Sequence, residues 1–162
     1  MLNCEENALT GAFTVNGISR TWSFAPEATL LQVLRDHGHA EVKDGCEEGE
    51  CGACLVLLDG NPVPSCQVFA ATARDREITT VRALGTLHAP HPIQEAFVET
   101  GAIQCGFCTP GIVLATWALL RNTPNPSDEE IVNALDGNKC RCTGYVKILE
   151  AVRLAAGRWR HA

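Results

Sequence analysis

The stretch Asp44-Gly45-Cys46-Glu47-Glu48-Gly49-Glu50-Cys51-Gly52-Ala53-Cys54, followed by Cys66, decides the reading of this chain. Its cysteines run C-x4-C-x2-C, then eleven residues, then C. That is the plant-type spacing for a 2Fe–2S cluster held by four thiolates. Three sulfurs must turn inward from one short loop, so the loop is glycine-rich. Gly45, Gly49 and Gly52 are expected to supply positive-φ backbone and close approach of N–H groups to sulfur. Cys66 is expected from a neighbouring strand. A structural zinc site is the alternative, but zinc motifs pair two C-x2-C-like knuckles on separate turns. Here three sulfurs crowd one loop and the fourth is alone, which favours iron–sulfur chemistry.

Working outward, the flanks read as α+β. Residues 12–16 alternate and end in Asn16-Gly17, a two-residue hairpin signal; residues 20–24 return with Trp22 and Phe24 on one face. Thr29 and Gln32 form a capping box for a helix whose apolar face is Leu30, Leu31, Val33 and Leu34, stopped at Gly38. Strands are expected at 53–58, 62–67 and 78–81, with a turn at Asp59-Gly60. This order predicts a β-grasp, ferredoxin-like domain over residues 1–81.

After Val81 the pattern changes. Residues 82–92 hold Gly85, Pro90 and Pro92 and read as a linker. Residues 93–162 are helical in period: 93–100 stopped by Gly101, an all-round apolar 111–121, a helix to about Asp136 capped by Ser127 and Glu130, and 145–160. These four helices predict a small four-helix bundle.

The second half carries its own cysteines, in Gln104-Cys105-Gly106-Phe107-Cys108-Thr109-Pro110-Gly111 and Gly137-Asn138-Lys139-Cys140-Arg141-Cys142-Thr143-Gly144-Tyr145. The spacing is C-x2-C, thirty-one residues, then C-x-C, with both pairs at helix starts. Helix N-termini favour anionic thiolates. A thioredoxin-like pair is disfavoured because no strand precedes Cys105. A zinc half-site stays open on spacing alone. A cluster loop in the same chain tips the reading to a second four-thiolate iron–sulfur site.

Composition bounds the remaining possibilities. The 162 residues are 46% apolar and 20% charged, with net charge −6, which argues against a nucleic-acid partner. No N-terminal signal segment is read, and the longest apolar run, 112–120, is too short to span a bilayer. The expected location is the cytoplasm. Nine cysteines without a signal peptide point to metal or redox chemistry rather than disulfides, with Cys4 a bystander.

The runs Gly49-Glu50-Cys51-Gly52-Ala53-Cys54, 104–111 and 137–145 together resemble the iron–sulfur subunit of the molybdenum hydroxylases, the xanthine dehydrogenase-like family, across about residues 12–156. The resemblance implies a β-grasp domain with one cluster on Cys46, Cys51, Cys54 and Cys66. It implies a four-helix domain with a second on Cys105, Cys108, Cys140 and Cys142. A large partner subunit would carry the molybdopterin cofactor and the substrate site, so no catalytic residue is expected on this chain. Electrons would pass from the helical-domain cluster to the ferredoxin-like cluster, then usually to FAD on a medium subunit. Gln104 and Cys142 match pterin-contacting positions. The loop variant leans towards an N-heteroaromatic substrate, of purine or nicotinate type.

Leu55 and Lys139 depart from the family's usual Thr and Leu. Lys139 is expected to pack its stem and leave its ammonium in solvent. Glu47, Glu48 and Glu50 are expected to form a solvated loop face, and Trp159 to pack. The rival readings are a free-standing two-cluster ferredoxin and a zinc-stabilised interaction module.

Overall fold

The structure, a computed structural model, describes residues 7–159; Cys4 and His161 lie outside them. Asn16 and Gly17, at φ 53 and 77, close the hairpin of β1 (Leu9–Val15) and β2 (Ile18–Phe24). Both residues sit in the left-handed region that such a turn requires. The chain then forms α1 (Leu30–Asp36), whose N-terminus carries the expected Thr29–Gln32 capping box. Three further strands follow, β3 (Leu55–Leu58), β4 (Asn61–Pro64) and β5 (Glu77–Thr79). The sheet order is β2-β1-β5-β3-β4, with β1 and β5 parallel and the remaining pairs antiparallel.

Alternation explains the core beneath this sheet. Phe13, Val15, Trp22, Phe24, Val56 and Ile78 point inward against Leu30, Leu31 and Leu34 of α1. Phe13, Leu30, Leu34 and Ile78 are fully buried, each contributing about 1.5–3 kcal/mol by removal from water.

Three strand expectations need correction. The segment 62–67 is strand only to Pro64, and Cys66 lies in the 3-10 turn Ser65–Gln67 rather than on a strand. Pro62 and Pro64 have no N–H to donate, which confines β4 to the sheet edge. β3 begins at Leu55, not residue 53, because Leu55 N–H turns back to the Gly52 carbonyl at 3.3 Å. The last strand also ends early, and Val81–Ala83 is a 3-10 turn.

The second half is built from α2 (Pro92–Glu99), α3 (Thr109–Asn122), α4 (Asp128–Leu135) and α5 (Val146–Trp159). Ser127 and Glu130 cap α4 as expected. His91, read as part of the linker, is the N-cap of α2: its Nδ1 accepts from Ile93 N–H at 3.2 Å, and Gln94 completes the box. α3 is buried on nearly every side, and Thr116 satisfies its hydroxyl on the Ile112 carbonyl at 2.8 Å. Its neighbours in the core include Ile93, Phe97, Ile131, Ile148 and Val152. Trp159 is half-buried near Trp117 and His91.

The two halves meet along α3. Leu57 of β3 packs with Leu114 and Ala118, and Leu55 joins the same patch. Leu55 therefore adds apolar contact between sheet and helix. Among the described residues no helix is long and apolar enough to cross a membrane.

Candidate metal centres

Local backbone aims the first set of sulfurs. Gly49 and Gly52 adopt φ 79 and 67 as expected, but Gly45 does not; the third left-handed residue is Glu47, at φ 55. Gly45 is needed for another reason. A methyl group there would lie 2.9 Å from Cys51 Sγ and 3.5 Å from Phe107 Cε1. Cys54 and Cys66 are buried, and Cys46 and Cys51 half-buried. Ser65 Oγ donates to the Cys54 carbonyl at 2.7 Å, locking the 3-10 turn of Cys66 against the loop. Gln67 Nε2 ties that turn to the Glu47 carbonyl at 2.9 Å.

The sulfurs group two by two. Cys46 and Cys51, and Cys54 and Cys66, are near enough to influence each other's ionisation. In the second half Cys105 Sγ lies 3.6 Å from Cys142 Sγ, and Cys108 contacts Cys140. All eight are free thiols. Among the described residues no three of His, Cys, Asp and Glu gather as a single-ion site. Two thiolates on each of two metals is the demand of a 2Fe–2S cluster, and both constellations fit it.

Environment distinguishes the thiols within each set. The Glu48 N–H, 3.4 Å from Cys46 Sγ, lowers Cys46 to about 7. Burial pushes Cys54 up to about 11 and Cys108 up to about 12. Burial also opposes ionisation of Cys140, but the Thr143 hydroxyl at 3.1 Å and nearby N–H groups outweigh it and bring Cys140 down. Each set thus has one sulfur cradled by donors and one in apolar surroundings. Donors to sulfur favour the thiolate and tune a bound cluster.

The second set sits where helix starts converge. Cys108 is the N-cap of α3, and the 140–142 turn leads into α5. Tyr145, at φ 68, folds its ring back: Cys140 N–H donates to its Oη at 2.8 Å, and its hydroxyl donates to the Asn138 carbonyl at 3.2 Å. Cys105 and Cys142 are exposed, and so is Gln104 beside them.

The loops also touch each other. Lys139 N–H donates to the Cys51 carbonyl at 2.9 Å, and Lys139 Nζ pairs with Glu50 at 2.9 Å. The ammonium is exposed, as expected, but it reaches across to the first loop, which sequence reading missed. Glu47 and Glu48 are solvated, as expected. His37 and His39 do not join either set; both face Trp22, with centroids 4.3 and 6.0 Å away.

The family described as 2Fe-2S iron-sulfur cluster binding domain matches residues 13–81, and that described as 2Fe-2S binding domain matches residues 80–153. The chain is 46% identical to the nicotinate dehydrogenase small FeS subunit of Eubacterium barkeri, over 94% of this chain and 98% of that one. It is 43% identical to the xanthine dehydrogenase iron-sulfur-binding subunit of Escherichia coli O157:H7, over 86% and 89%. The chain belongs to the iron–sulfur subunits of the xanthine dehydrogenase-like molybdenum hydroxylase family. A crystal structure of quinoline 2-oxidoreductase from Pseudomonas putida 86 superposes with a TM-score of 0.91 at 35% identity, covering 96% of this chain and 98% of that one. Membership of this family makes it an electron-transfer subunit of an oxidoreductase complex with two 2Fe–2S domains, not a free-standing ferredoxin.

Proposed function

We propose that Cys46, Cys51, Cys54 and Cys66 hold one 2Fe–2S cluster and Cys105, Cys108, Cys140 and Cys142 the other. The observation that carries this is the proximity of the sulfurs within each set. Each cluster, when bound, supplies one-electron transfer. The protein's part is to present sulfurs in rigid turns, donate N–H and O–H groups to them, and keep Cys54 and Cys66 from water. We assign a β-grasp domain to residues 1–81, a linker to 82–92 and a four-helix bundle to 93–162; the separate apolar clusters support this division.

The exposed Cys105–Cys142 pair is the entry point in this reading. Gln104 beside it, and Cys142 itself, contact the pterin of a large molybdopterin-bearing subunit. The exposed apolar side chains Ile103, Phe107 and Val146 around these cysteines support a partner that covers them. Electrons leave from the first set towards FAD on a medium subunit, in the cytoplasm. The similarity to nicotinate dehydrogenase and nicotine 6-hydroxylase subunits supports an N-heteroaromatic substrate.

Metal analysis of the assembled enzyme tests the ligand assignment: about four irons and four labile sulfides per copy of this chain. Stoichiometric zinc, or iron for one cluster, overturns it. EPR after anaerobic substrate addition tests the order. In a Cys142→Ser enzyme that assembles without the second cluster, substrate should leave the first cluster oxidised. Its reduction at the normal rate would refute the order.

A further inference from the structure

Asn138 is 4% exposed, and its Oδ1 is the one buried side-chain oxygen or nitrogen without a hydrogen-bond partner among the described residues. It stands two residues before Cys140 and is wedged between the cysteine loops. A methyl group at Gly52 would lie 2.6 Å from Oδ1, and one at Gly111 would lie 3.3 Å away. The added methyl at Gly52 would also meet the Gly137 carbonyl at 2.5 Å, and that at Gly111 the Gly52 carbonyl at 2.0 Å. Glycine at position 52 makes room for the carboxamide, and glycine at position 111 makes room chiefly for the Gly52 carbonyl. The backbone around the wedge is held firmly. Asn138 N–H donates to the Leu135 carbonyl at 2.8 Å, Tyr145 donates to its carbonyl at 3.2 Å, and Lys139 N–H reaches Cys51 at 2.9 Å.

A buried acceptor without a full donor is costly, and an apolar residue of similar volume would avoid that cost. Shape separates the two choices. A carboxamide is planar and lies close against the Gly52 backbone; the branched, tetrahedral Cγ of leucine is thicker. We infer that Asn138 is a positioning residue for electron transfer between the two cysteine sets, its flat carboxamide setting how closely the Cys51–Gly52 turn approaches the Cys140 loop. This rests on the two-cluster reading above. Transfer between redox centres falls steeply with separation, so a thin spacer serves the reaction where a merely stable one would not.

The test is EPR of the fully dithionite-reduced assembled enzyme, in which both clusters are paramagnetic and their magnetic interaction splits the signals. Iron and sulfide for two clusters in the unmodified enzyme is the separate check on the two-cluster reading. Asn138→Leu should retain both clusters and lose the splitting. Asn138→Val, branched at Cβ and with Gly52, Gly111 and every cysteine retained, should lose it too. Retention of the full splitting in Asn138→Leu with all its iron would overturn the inference. If Asn138→Leu does not assemble, retained splitting in Asn138→Val decides against it. Loss of a cluster in both variants also overturns it, since the wedge is then needed only for folding.

Discussion

Lys139 Nζ lies 2.9 Å from Glu50 Oε2, across 89 residues of chain, and joins the turn before Cys140 to the turn before Cys51. The ammonium belongs to the second loop by sequence and to the first loop by position. Each partner holds the other charged: Glu50 is brought down by Lys139, and Lys139 is raised by Glu50. The two charges therefore mask each other beside the first cysteine set.

Unmasking them should move the first cluster's potential in opposite directions. Lys139→Leu leaves an uncompensated carboxylate, which disfavours the added electron and lowers the potential. Glu50→Gln leaves an uncompensated ammonium and raises it. Both side chains are exposed, so the shifts should be small and shrink as salt rises. Redox titration of both clusters by EPR at low and high ionic strength checks this. A larger shift at the second cluster than at the first would contradict the placement.

Gly45→Ala should cost the enzyme its first cluster and spare the second. The added methyl falls 2.9 Å from Cys51 Sγ, on a loop with no slack. Iron should drop from about four to about two per chain, on the two-irons-per-cluster count. The measurement is metal analysis together with the EPR signal of the surviving cluster. Undiminished iron would mean that the loop can yield.

Tyr145→Phe removes an acceptor from Cys140 N–H and a donor from the Asn138 carbonyl, at one stroke. Leaving part-buried backbone groups unpaired costs about 1–3 kcal/mol. The variant should unfold at lower denaturant and lose iron from the second set faster when challenged with a chelator. Unchanged rates would show that water replaces the hydroxyl.

Acid stability should depend on Glu41. Burial works against its ionisation, but hydrogen bonds from His39 at 3.0 Å and Thr80 at 2.9 Å prevail and hold its carboxyl below 4.5. A carboxylate lowered on folding contributes stability above its unfolded value. That contribution fades as pH falls through the folded value. The melting temperature should therefore drop on acidification below about pH 4.5, the unfolded value for a glutamate. Glu41→Gln should flatten that part of the profile. A mutant curve parallel to the native one would remove Glu41 from the account.

Sequence by itself marked the C-x4-C-x2-C, C-x2-C and C-x-C runs, because spacing within a loop is a local property; the tertiary structure brings the last two runs together. Sequence also determined the hairpin at Asn16-Gly17 and the capping boxes at Thr29 and Ser127, since each closes within a few residues. It misplaced Cys66 on a strand because the pull of the Ser65 hydroxyl on the Cys54 carbonyl spans eleven positions. It assigned Gly45 a positive φ where the true constraint is the space taken by Cys51 Sγ. Only the tertiary structure decided that Lys139 reaches Glu50, that Asn138 is wedged against Gly52 and Gly111, and that Leu55 packs on α3. Those contacts join residues far apart in the chain, and periodicity and spacing carry no information about which distant surfaces will meet.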